Sequence, residues 1–452
     1  MVYLQLALMQ FSTILLITNL LLLKTLDSFS QNETEFKFDF GMGKTAKSYT
    51  QISPESIYTK EKGFGFMPNT KVESMSRKGR NALTTDFCTS KEPFFFTVDI
   101  PEGNYNIKLT LGDAEGESTT TVKVENRRLM LEKISTSQGE IVTKTFTVNV
   151  KSPQINATEK VKLKPRELNY LHWDNQLTFE FNGTAPKICG LEISKAADDI
   201  TTVFLAGNST VVDQVQEPYA AWGQMIPRFF KAEKVVFANH AESGETIRSF
   251  VSEKRLDKIM SQIKAGDYFF IEFAHNDQKA NSGVEANTTY KEYLRTYIQK
   301  TREKGATPVL VTSMYRRNFD AAGKLVNTLG DFPEAMRQTA NEQNVALIDL
   351  NAMSKTLFEA LGVENSKKAF VHYAANTFPG QDKEIHDDTH FSNYGAYQLA
   401  KCIIEGIKKS NLGISQYLLN GLPTFDPSKP DPLETWSFPH SPLVNVIKPD
   451  GN

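Results

Sequence analysis

Residues 202–210 read Thr-Val-Phe-Leu-Ala-Gly-Asn-Ser-Thr, a short apolar run that ends at a glycine and is followed by Ser209. Similar runs recur downstream and alternate with stretches that have the period of helices. Apolar strands that alternate with helices indicate a parallel sheet covered on both faces. Residues 200–412 are therefore expected to form a doubly wound, three-layer α/β/α domain with its site at the carboxyl ends of the strands. The predicted strands span residues 202–206, 234–238, 268–273, 308–312 and 346–350, and the predicted helices span residues 290–303, 333–342 and 393–409.

The preceding part of the chain has the two-residue period of β-strands. In residues 36–40 phenylalanines alternate with polar residues, and the same alternation recurs at residues 105–111, 146–150 and 177–181. Turn residues separate these runs, and no stretch with a helical period interrupts them. Many short strands with one apolar face predict a β-sandwich, of jelly-roll type, over residues 35–196.

The two ends of the chain differ from both domains. Residues 1–30 are mostly apolar as far as Leu23 and end in small residues, which is typical of a signal peptide and predicts a secreted or periplasmic protein. No Lys or Arg precedes Lys24, so an uncleaved membrane anchor is the alternative. Residues 413–452 are rich in Pro and Asp, and we expect this tail to pack over a domain surface.

Composition narrows the classes of partner. The 452 residues carry a formal net charge of -2, and there is no polybasic run, so we expect neither a nucleic-acid partner nor a membrane partner beyond the export segment. Three cysteines do not make a disulfide scaffold in a protein of this size. Cys88 and Cys189 are either a pair or two small buried apolar residues.

Polar residues follow three of the predicted strands and precede the last helix. Ser209 follows the first strand, although a serine there is also typical of a helix N-cap. Gly244 and Asn276 follow the second and third strands, where a backbone N–H and a side-chain amide can bind a developing oxyanion. His390 can take the serine proton, and Asp387, three residues earlier, can orient the imidazole. Asp388 is the competing carboxylate.

These blocks resemble those of the SGNH (GDSL) hydrolases, and the wording around them is similar to that of rhamnogalacturonan acetylesterases. The stretches that carry the likeness are residues 204–211, 222–224, 239–241, 275–277 and 389–392. The resemblance implies a flavodoxin-like parallel sheet and an acyl-enzyme mechanism without metal or organic cofactor. It implies that Ser209 is the nucleophile, that His390 and Asp387 complete the triad, and that Ser209, Gly244 and Asn276 form the oxyanion hole. Asn208 and Ala274 depart from the family, which usually has Asp and Gly there.

The N-terminal half resembles galactose-binding-like (malectin-like) modules through residues 38–41, 63–66 and 101–105. Its aromatic side chains are more typical of a core than of a sugar platform, and Trp173 is the candidate for glycan contact. In the catalytic half, Trp222, His240 and His275 are possible substrate-binding residues, with packing as the alternative for each.

The function expected from the resemblance is removal of acetyl groups from acetylated rhamnogalacturonan or related pectin. One alternative is an esterase for other acetylated polysaccharides, such as acetyl-xylan, or for small acyl esters. A different class of alternative is a non-catalytic carbohydrate-binding protein, which the Asn208 departure keeps open. The oligomeric state is not predicted.

Overall fold

The structure, a computed structural model, describes residues 34–442. The predicted signal peptide and the last ten residues of the predicted tail lie outside the described residues. No helix within residues 34–442 combines the length and apolar character needed to cross a bilayer.

The N-terminal domain is a sandwich of two sheets. One sheet has seven strands and contains the order β10-β7-β12-β1-β2, with β5 paired to β12 and β4, while the other has the order β3-β6-β11-β8-β9. The strands are β1 (Phe36–Phe40), β2 (Thr50–Ile52), β3 (Phe64–Phe66), β4 (Glu73–Ser76), β5 (Asp86–Thr89), β6 (Phe94–Asp99), β7 (Gly103–Gly112), β8 (Ser118–Val124), β9 (Arg128–Thr136), β10 (Ile141–Val150), β11 (Gln176–Thr184) and β12 (Lys187–Lys195).

Aromatic side chains from both sheets fill the space between them. The Phe38 and Phe40 rings of β1 lie 5.2 and 5.1 Å from the Phe96 ring of β6, in edge-to-face contacts. The alternation of phenylalanines that predicted the strands therefore marks the inner face of the sandwich. Cys88 and Cys189 are buried and free, and each Sγ contacts a backbone carbonyl instead of the other sulfur.

The second domain is built on a parallel sheet of five strands in the order β14-β13-β15-β16-β17. This is the 2-1-3-4-5 order of flavodoxin-like folds, and it confirms the predicted fold class. The strands are β13 (Thr201–Ala206), β14 (Val235–Asn239), β15 (Tyr268–Ile271), β16 (Thr307–Val311) and β17 (Ala346–Ile348). The helices are α1 (Trp222–Met225), α2 (Ile247–Ser252), α3 (Arg255–Gln262), α4 (Lys291–Glu303), α5 (Phe332–Glu342), α6 (Leu350–Asn365) and α7 (Asn393–Lys409).

Strand β13 shows why this sheet needs helices on both faces. Val203 and Leu205 pack into one buried cluster with residues of α1, α6 and α7. Phe204 and Ala206 point the other way and pack with residues of α2, α3, α4 and α5. Because successive side chains of a strand alternate between its faces, one fully apolar strand serves both layers.

A two-stranded antiparallel sheet follows the parallel one, with β18 at Phe370–Tyr373 and β19 at Ile385–Phe391. The described part of the tail runs beside α7, where the Tyr394 hydroxyl donates to the Asp431 carbonyl at 2.7 Å. The Trp436 ring packs edge-on against Tyr394 and is stacked on Phe438.

Buried charged and aromatic side chains form the contact between the two domains. Arg128 pairs with Asp213 at 2.8 Å, and Arg255 pairs with Glu167 at 2.5 Å. Trp173 is 5 % exposed at this contact, with the Lys151 ammonium 4.4 Å from its ring centroid. The candidacy of Trp173 for glycan contact is therefore wrong, since its ring is enclosed between the domains.

Candidate active site

A tight turn places Ser209 at the carboxyl end of the central strand β13. A Cβ on Gly207 would lie 2.5 Å from the Val211 side chain, so only glycine fits where the chain leaves the strand. Val211 and Val212 donate backbone hydrogen bonds to the Asn208 carbonyl. The chain continues as irregular structure through residues 210–221, so Ser209 does not cap a helix.

The structure brings Ser209, His390 and Asp387 together. The Ser209 Oγ lies 2.9 Å from His390 Nε2, and His390 Nδ1 lies 2.8 Å from Asp387 Oδ2. Ser209 is 3 % exposed and His390 1 %, so the line of contacts is almost shielded from water. Ser209 and His390 are 181 residues apart in sequence, and Asp387 and His390 are three apart. The fold brings all three into one continuous line of hydrogen bonds.

A bulge in strand β19 allows two residues three positions apart to face each other. Val371 of β18 pairs with Asp387, whereas its neighbour Phe370 pairs with Phe391, so Asp388, Thr389 and His390 loop out of register. Asp387 Oδ1 accepts the backbone N–H groups of Thr389 and His390 at 2.9 and 3.0 Å. The carboxylate therefore holds the bulge with one oxygen and the imidazole with the other.

The ionisation of Asp387 fixes the histidine tautomer. Burial by itself would raise the Asp387 pKa, but the His390 contact and the two backbone N–H groups outweigh it and lower the pKa to about 2. Near neutral pH the carboxylate only accepts hydrogen bonds, so Nδ1 of His390 carries the hydrogen. Nε2 is then an acceptor for the Ser209 hydroxyl, which is the arrangement that a general base requires.

Backbone and amide donors from the neighbouring loops meet the nucleophile turn. Glu242 donates its backbone N–H to the Gly207 carbonyl at 3.3 Å, which joins the loop after β14 to the turn after β13. The Asn276 Nδ2 donates to the Glu245 carbonyl at 3.0 Å, which joins the loop after β15 to the loop after β14. Gly244 has φ +82, which strongly favours glycine.

Within residues 34–442, the backbone N–H groups of Ser209 and Gly244 donate to no protein acceptor. Both are therefore available to a substrate oxygen. Over the same residues, no group of three or more His, Cys, Asp or Glu side chains is arranged to hold a metal ion.

A buried carboxyl group, Glu272, lies beneath the nucleophile turn. It accepts hydrogen bonds from Trp222 Nε1 at 2.7 Å and from the Thr210 hydroxyl at 2.9 Å. The Thr210 hydroxyl is also 2.8 Å from Asn208 Oδ1. Burial raises the Glu272 pKa to about 7, although hydrogen bonds, among them those from Trp222 and Thr210, lower it. Asn208 thus puts an uncharged amide where the family's usual aspartate would add a second carboxylate near Glu272.

We expect Glu272→Gln to remove part of the pH dependence of the free energy of unfolding. The folded protein keeps the Glu272 proton up to about pH 7, whereas the unfolded chain releases it near 4.5. Folding therefore binds a proton between these pH values, and the wild-type free energy of unfolding falls as pH rises through them. The glutamine variant lacks this loss. The difference between its free energy of unfolding and that of wild type should therefore shift in its favour by about 1–3 kcal/mol from pH 5 to pH 8. Chemical unfolding at both pH values measures it.

The exposed Glu303→Gln variant is the control for Glu272→Gln, because Glu303 lies at the end of α4. It should follow the wild-type pH dependence. Parallel stability curves for wild type and Glu272→Gln would contradict the assignment of a raised pKa to this group.

The three possible substrate-binding residues are buried in the structure. Trp222 has no exposed surface and its ring N–H bonds Glu272, and His240 has none and packs edge-on against Trp173. His275 is 1 % exposed, and its carbonyl accepts from Arg316 at 3.0 Å. These contacts favour the packing alternative for Trp222 and His240, and their role in substrate binding stays a prediction. His275 is likewise enclosed rather than presented at a surface.

Sequence reasoning missed a second group of residues that support the site. The Tyr219 ring packs edge-on against His390, with centroids 5.7 Å apart. Gln214 Nε2 donates to the Ser209 carbonyl at 2.7 Å. Arg127, from the turn between β8 and β9, donates to the carbonyls of Gln214 and Tyr219 at 3.2 and 2.7 Å and pairs with Glu217 at 2.6 Å. Residues 213–221 come shortly after Ser209 and hold four polar or charged residues and one tyrosine, which is the sequence feature that marks them.

A flavodoxin-like sheet that presents a hydrogen-bonded Ser-His-Asp line at its carboxyl edge defines a serine hydrolase. Residues 204–396 match the GDSL-like Lipase/Acylhydrolase family. Residues 36–161 match the Beta-agarase/YXIM esterase-like, galactose-binding domain-like family.

Sequence comparison with known proteins gives the same class. The chain is 44% identical over 220 residues to rhamnogalacturonan acetylesterase RhgT of Bacillus subtilis, across 48% of this chain and 94% of that protein. It is 25% identical over 388 residues to the uncharacterized esterase YxiM of the same organism, across 83% of this chain and 91% of that protein. The crystal structure of YxiM matches 84% of this chain and 99% of that chain, at 25% identity and a TM-score of 0.45.

The protein belongs to the GDSL-like lipase/acylhydrolase family, and it carries the galactose-binding-like domain of the YxiM esterase type at its N-terminal side. It is a carboxylic ester hydrolase. The resemblance drawn from the sequence is confirmed.

Proposed function

We propose that the protein removes acetyl groups from acetylated rhamnogalacturonan, a pectic polysaccharide, with Ser209, His390 and Asp387 as its catalytic residues. The observation that carries the catalytic part is the contact of Ser209 Oγ with His390 Nε2 at 2.9 Å, in a line that ends on an ionised Asp387. The substrate is supported by the 44% identity to a rhamnogalacturonan acetylesterase.

The reaction proceeds through an acetyl-enzyme. Ser209 Oγ attacks the acetyl carbonyl while His390 Nε2 takes its proton, and Asp387 stabilises the imidazolium. The backbone N–H groups of Ser209 and Gly244 and the Asn276 amide bind the oxyanion. His390 then gives its proton to the departing sugar hydroxyl.

In the second half, His390 Nε2 takes a proton from water, which attacks the acetyl-enzyme, and returns that proton to Ser209 Oγ as acetate leaves. The Asn276 Nδ2 has two hydrogens, and its bond to the Glu245 carbonyl uses one of them. The other can therefore serve the oxyanion without breaking the contact that ties the two loops together. Each proton that the reaction needs is handled by a residue of this chain.

An exported location is part of the proposal, since a polysaccharide of plant cell walls is met outside the producing cell. Its support is the apolar sequence of residues 1–30, which ends in small residues. Fractionation of a cell that produces the full chain tests this part independently of activity.

The substrate is tested by measuring acetate release from acetylated rhamnogalacturonan and from acetyl-xylan, with Ser209→Ala as the control. We expect release from the pectic polymer at a kcat/KM about 10-fold or more above that for acetyl-xylan, and none from either polymer with the variant. A tenfold preference corresponds to about 1.4 kcal/mol of transition-state binding. Equal rates on both polymers, or a preference for acetyl-xylan, would overturn the rhamnogalacturonan assignment while leaving the esterase intact.

A further inference from the structure

Two cations of the β-sandwich reach the loop that carries Gly244. Lys164 precedes the short 3-10 helix Pro165–Asn169, and Arg166 lies within it. The Lys164 Nζ donates to the Ser243 carbonyl at 2.7 Å, and Arg166 Nη2 donates to the same oxygen at 2.8 Å. One carbonyl of the hydrolase domain is thus held by two cations of the other domain.

The carbonyl of Ser243 and the N–H of Gly244 belong to a single peptide group. This peptide bond is trans, as peptide bonds that do not precede a proline almost always are. In a planar trans peptide the C=O and N–H point in opposite directions, so fixing the oxygen fixes the direction of the hydrogen. The two cations therefore set where the Gly244 N–H points.

Carboxylates of the same loop anchor the two cations. Lys164 pairs with Glu245 at 2.5 Å, and Arg166 pairs with Glu242 at 2.7 Å. The carboxylates have side-chain exposures of 0 and 1 %, whereas Lys164 and Arg166 are 20 and 32 % exposed. The contacts are shielded enough to be strong. Replacing either cation leaves a buried carboxylate without that partner, so the variants are compared per folded, active molecule.

A hydrogen bond from a cation also polarises the peptide that accepts it. Electron density drawn toward the Ser243 oxygen leaves the Gly244 hydrogen more positive, and hydrogen bonds in a chain strengthen one another in a medium of low dielectric constant. The far side of the loop is held separately, through the bond of Asn276 to the Glu245 carbonyl. Gly244 therefore lies between two fixed carbonyls, one of which is held by the β-sandwich.

We propose that Lys164 and Arg166 of the β-sandwich are positioning residues for catalysis, which aim and polarise the Gly244 N–H of the oxyanion hole. The β-sandwich is in this respect part of the active site of the hydrolase domain. This inference rests on the proposed role of Gly244 in the esterase reaction.

The test compares Arg166→Gln, Lys164→Gln and the double variant with wild type, all in the full chain, on 4-nitrophenyl acetate. Circular dichroism measures the folded fraction of each variant, and titration with a phosphonate ester counts the active molecules. We expect kcat per titrated molecule to fall about 10-fold for each single variant and about 100-fold for the double variant. The loss for each single variant is smaller than the roughly 100-fold or greater loss on removal of a whole oxyanion donor, because the Gly244 N–H itself remains. KM should change by less than threefold.

Binding of phenylboronic acid supplies a second readout. Its tetrahedral adduct on the serine resembles the transition state, so its inhibition constant should rise by the same factor as kcat falls. Arg166→Lys keeps a cation at the carbonyl and should recover most of the loss. Lys254→Gln is the matched control, because the Lys254 ammonium pairs with Glu159 across the same domain contact at 31 % exposure and, within residues 34–442, makes no hydrogen bond or ion pair with residues 242–246. It should stay within twofold of wild type.

The outcomes separate this inference from the esterase function itself. If wild type hydrolyses the ester and the Arg166 and Lys164 variants match it in kcat and in boronate binding, the positioning role is overturned. The same holds if Lys254→Gln loses as much activity as they do, because domain contact alone would then explain the effect. If wild type is inactive on every ester, the esterase function fails first. Should the double variant not fold, the single variants decide.

Discussion

Replacing Ser209 by alanine is expected to lower kcat about 10⁵-fold on 4-nitrophenyl acetate, with KM and thermal stability nearly unchanged. Ser209 Oγ lies 2.9 Å from His390 Nε2, and without this oxygen no acyl-enzyme can form. The small side chain is held in a turn whose backbone contacts do not involve Oγ, so the fold should persist. Initial rates on purified, folded protein measure the effect.

Ser252→Ala is the matched control for Ser209→Ala. Ser252 is exposed at the end of α2, and its hydroxyl makes only a local contact with the Ser249 carbonyl. Wild-type rates are expected for it. A Ser209→Ala enzyme that keeps more than about one per cent of wild-type kcat would contradict the assignment of the nucleophile, since a missing nucleophile costs far more.

Asp387→Asn is expected to lower kcat about 10³-fold, equivalent to about 4 kcal/mol of transition-state stabilisation. In wild type, Asp387 Oδ1 accepts two backbone N–H groups and Oδ2 accepts from His390 Nδ1. An asparagine places its oxygen toward the backbone donors and its amide toward His390. Nδ1 must then accept, so Nε2 carries the hydrogen and can no longer take the Ser209 proton. Steady-state kinetics with a small ester measure the loss.

Asp388→Asn provides the comparison for Asp387→Asn at the neighbouring position. Asp388 contacts Arg317 and His372 at 2.9 and 2.8 Å and is 49 % exposed, whereas the oxygen that contacts His390 Nδ1 belongs to Asp387. We expect its kcat to stay within about threefold of wild type, a change of less than 1 kcal/mol. An equal loss in the two variants would mean that the loop as a whole, and not the orientation of His390, is what the Asp387 change disturbs.

The order of the chemical blocks along the sequence was enough to predict the parallel-sheet fold and to name Ser209, His390 and Asp387, which the structure brings together. Ser209, Gly244 and Asn276 follow strands that lie side by side in the sheet, β13, β14 and β15, and parallel strands bring their carboxyl ends to one edge. Local pattern identifies such strands well because their apolar runs are continuous. The contact of Asp387 with His390 needed the bulge in β19, which spacing alone does not reveal.

Aromatic and histidine side chains were harder to interpret. Trp222 and His240 lie in stretches that carry the family likeness and Trp173 lies in the β-sandwich, yet the structure encloses all three. A lone aromatic residue has the same local pattern whether it packs or binds sugar, and only long-range contacts separate the two cases. For His240 the enclosing partner, Trp173, belongs to the other domain.

The contribution of the β-sandwich to the site could not be predicted from sequence. Arg127, Lys164 and Arg166 lie in turns or short segments without a motif, and their partners follow roughly 80 residues or more later. Such contacts depend on how two domains dock, which neither periodicity nor composition encodes. Charged residues in loops of an accessory domain therefore need a structure before a role can be assigned to them.

Covalent labelling tests the central claim most directly. Full-length protein is treated with a phosphonate ester, digested, and analysed by mass spectrometry, with residual activity on 4-nitrophenyl acetate measured in parallel. One phosphonyl group on the peptide that carries Ser209, with activity lost in proportion to labelling, is the predicted result. An enzyme that stays active while Ser209 is fully labelled, or that is inactivated by a label on another residue, would contradict it.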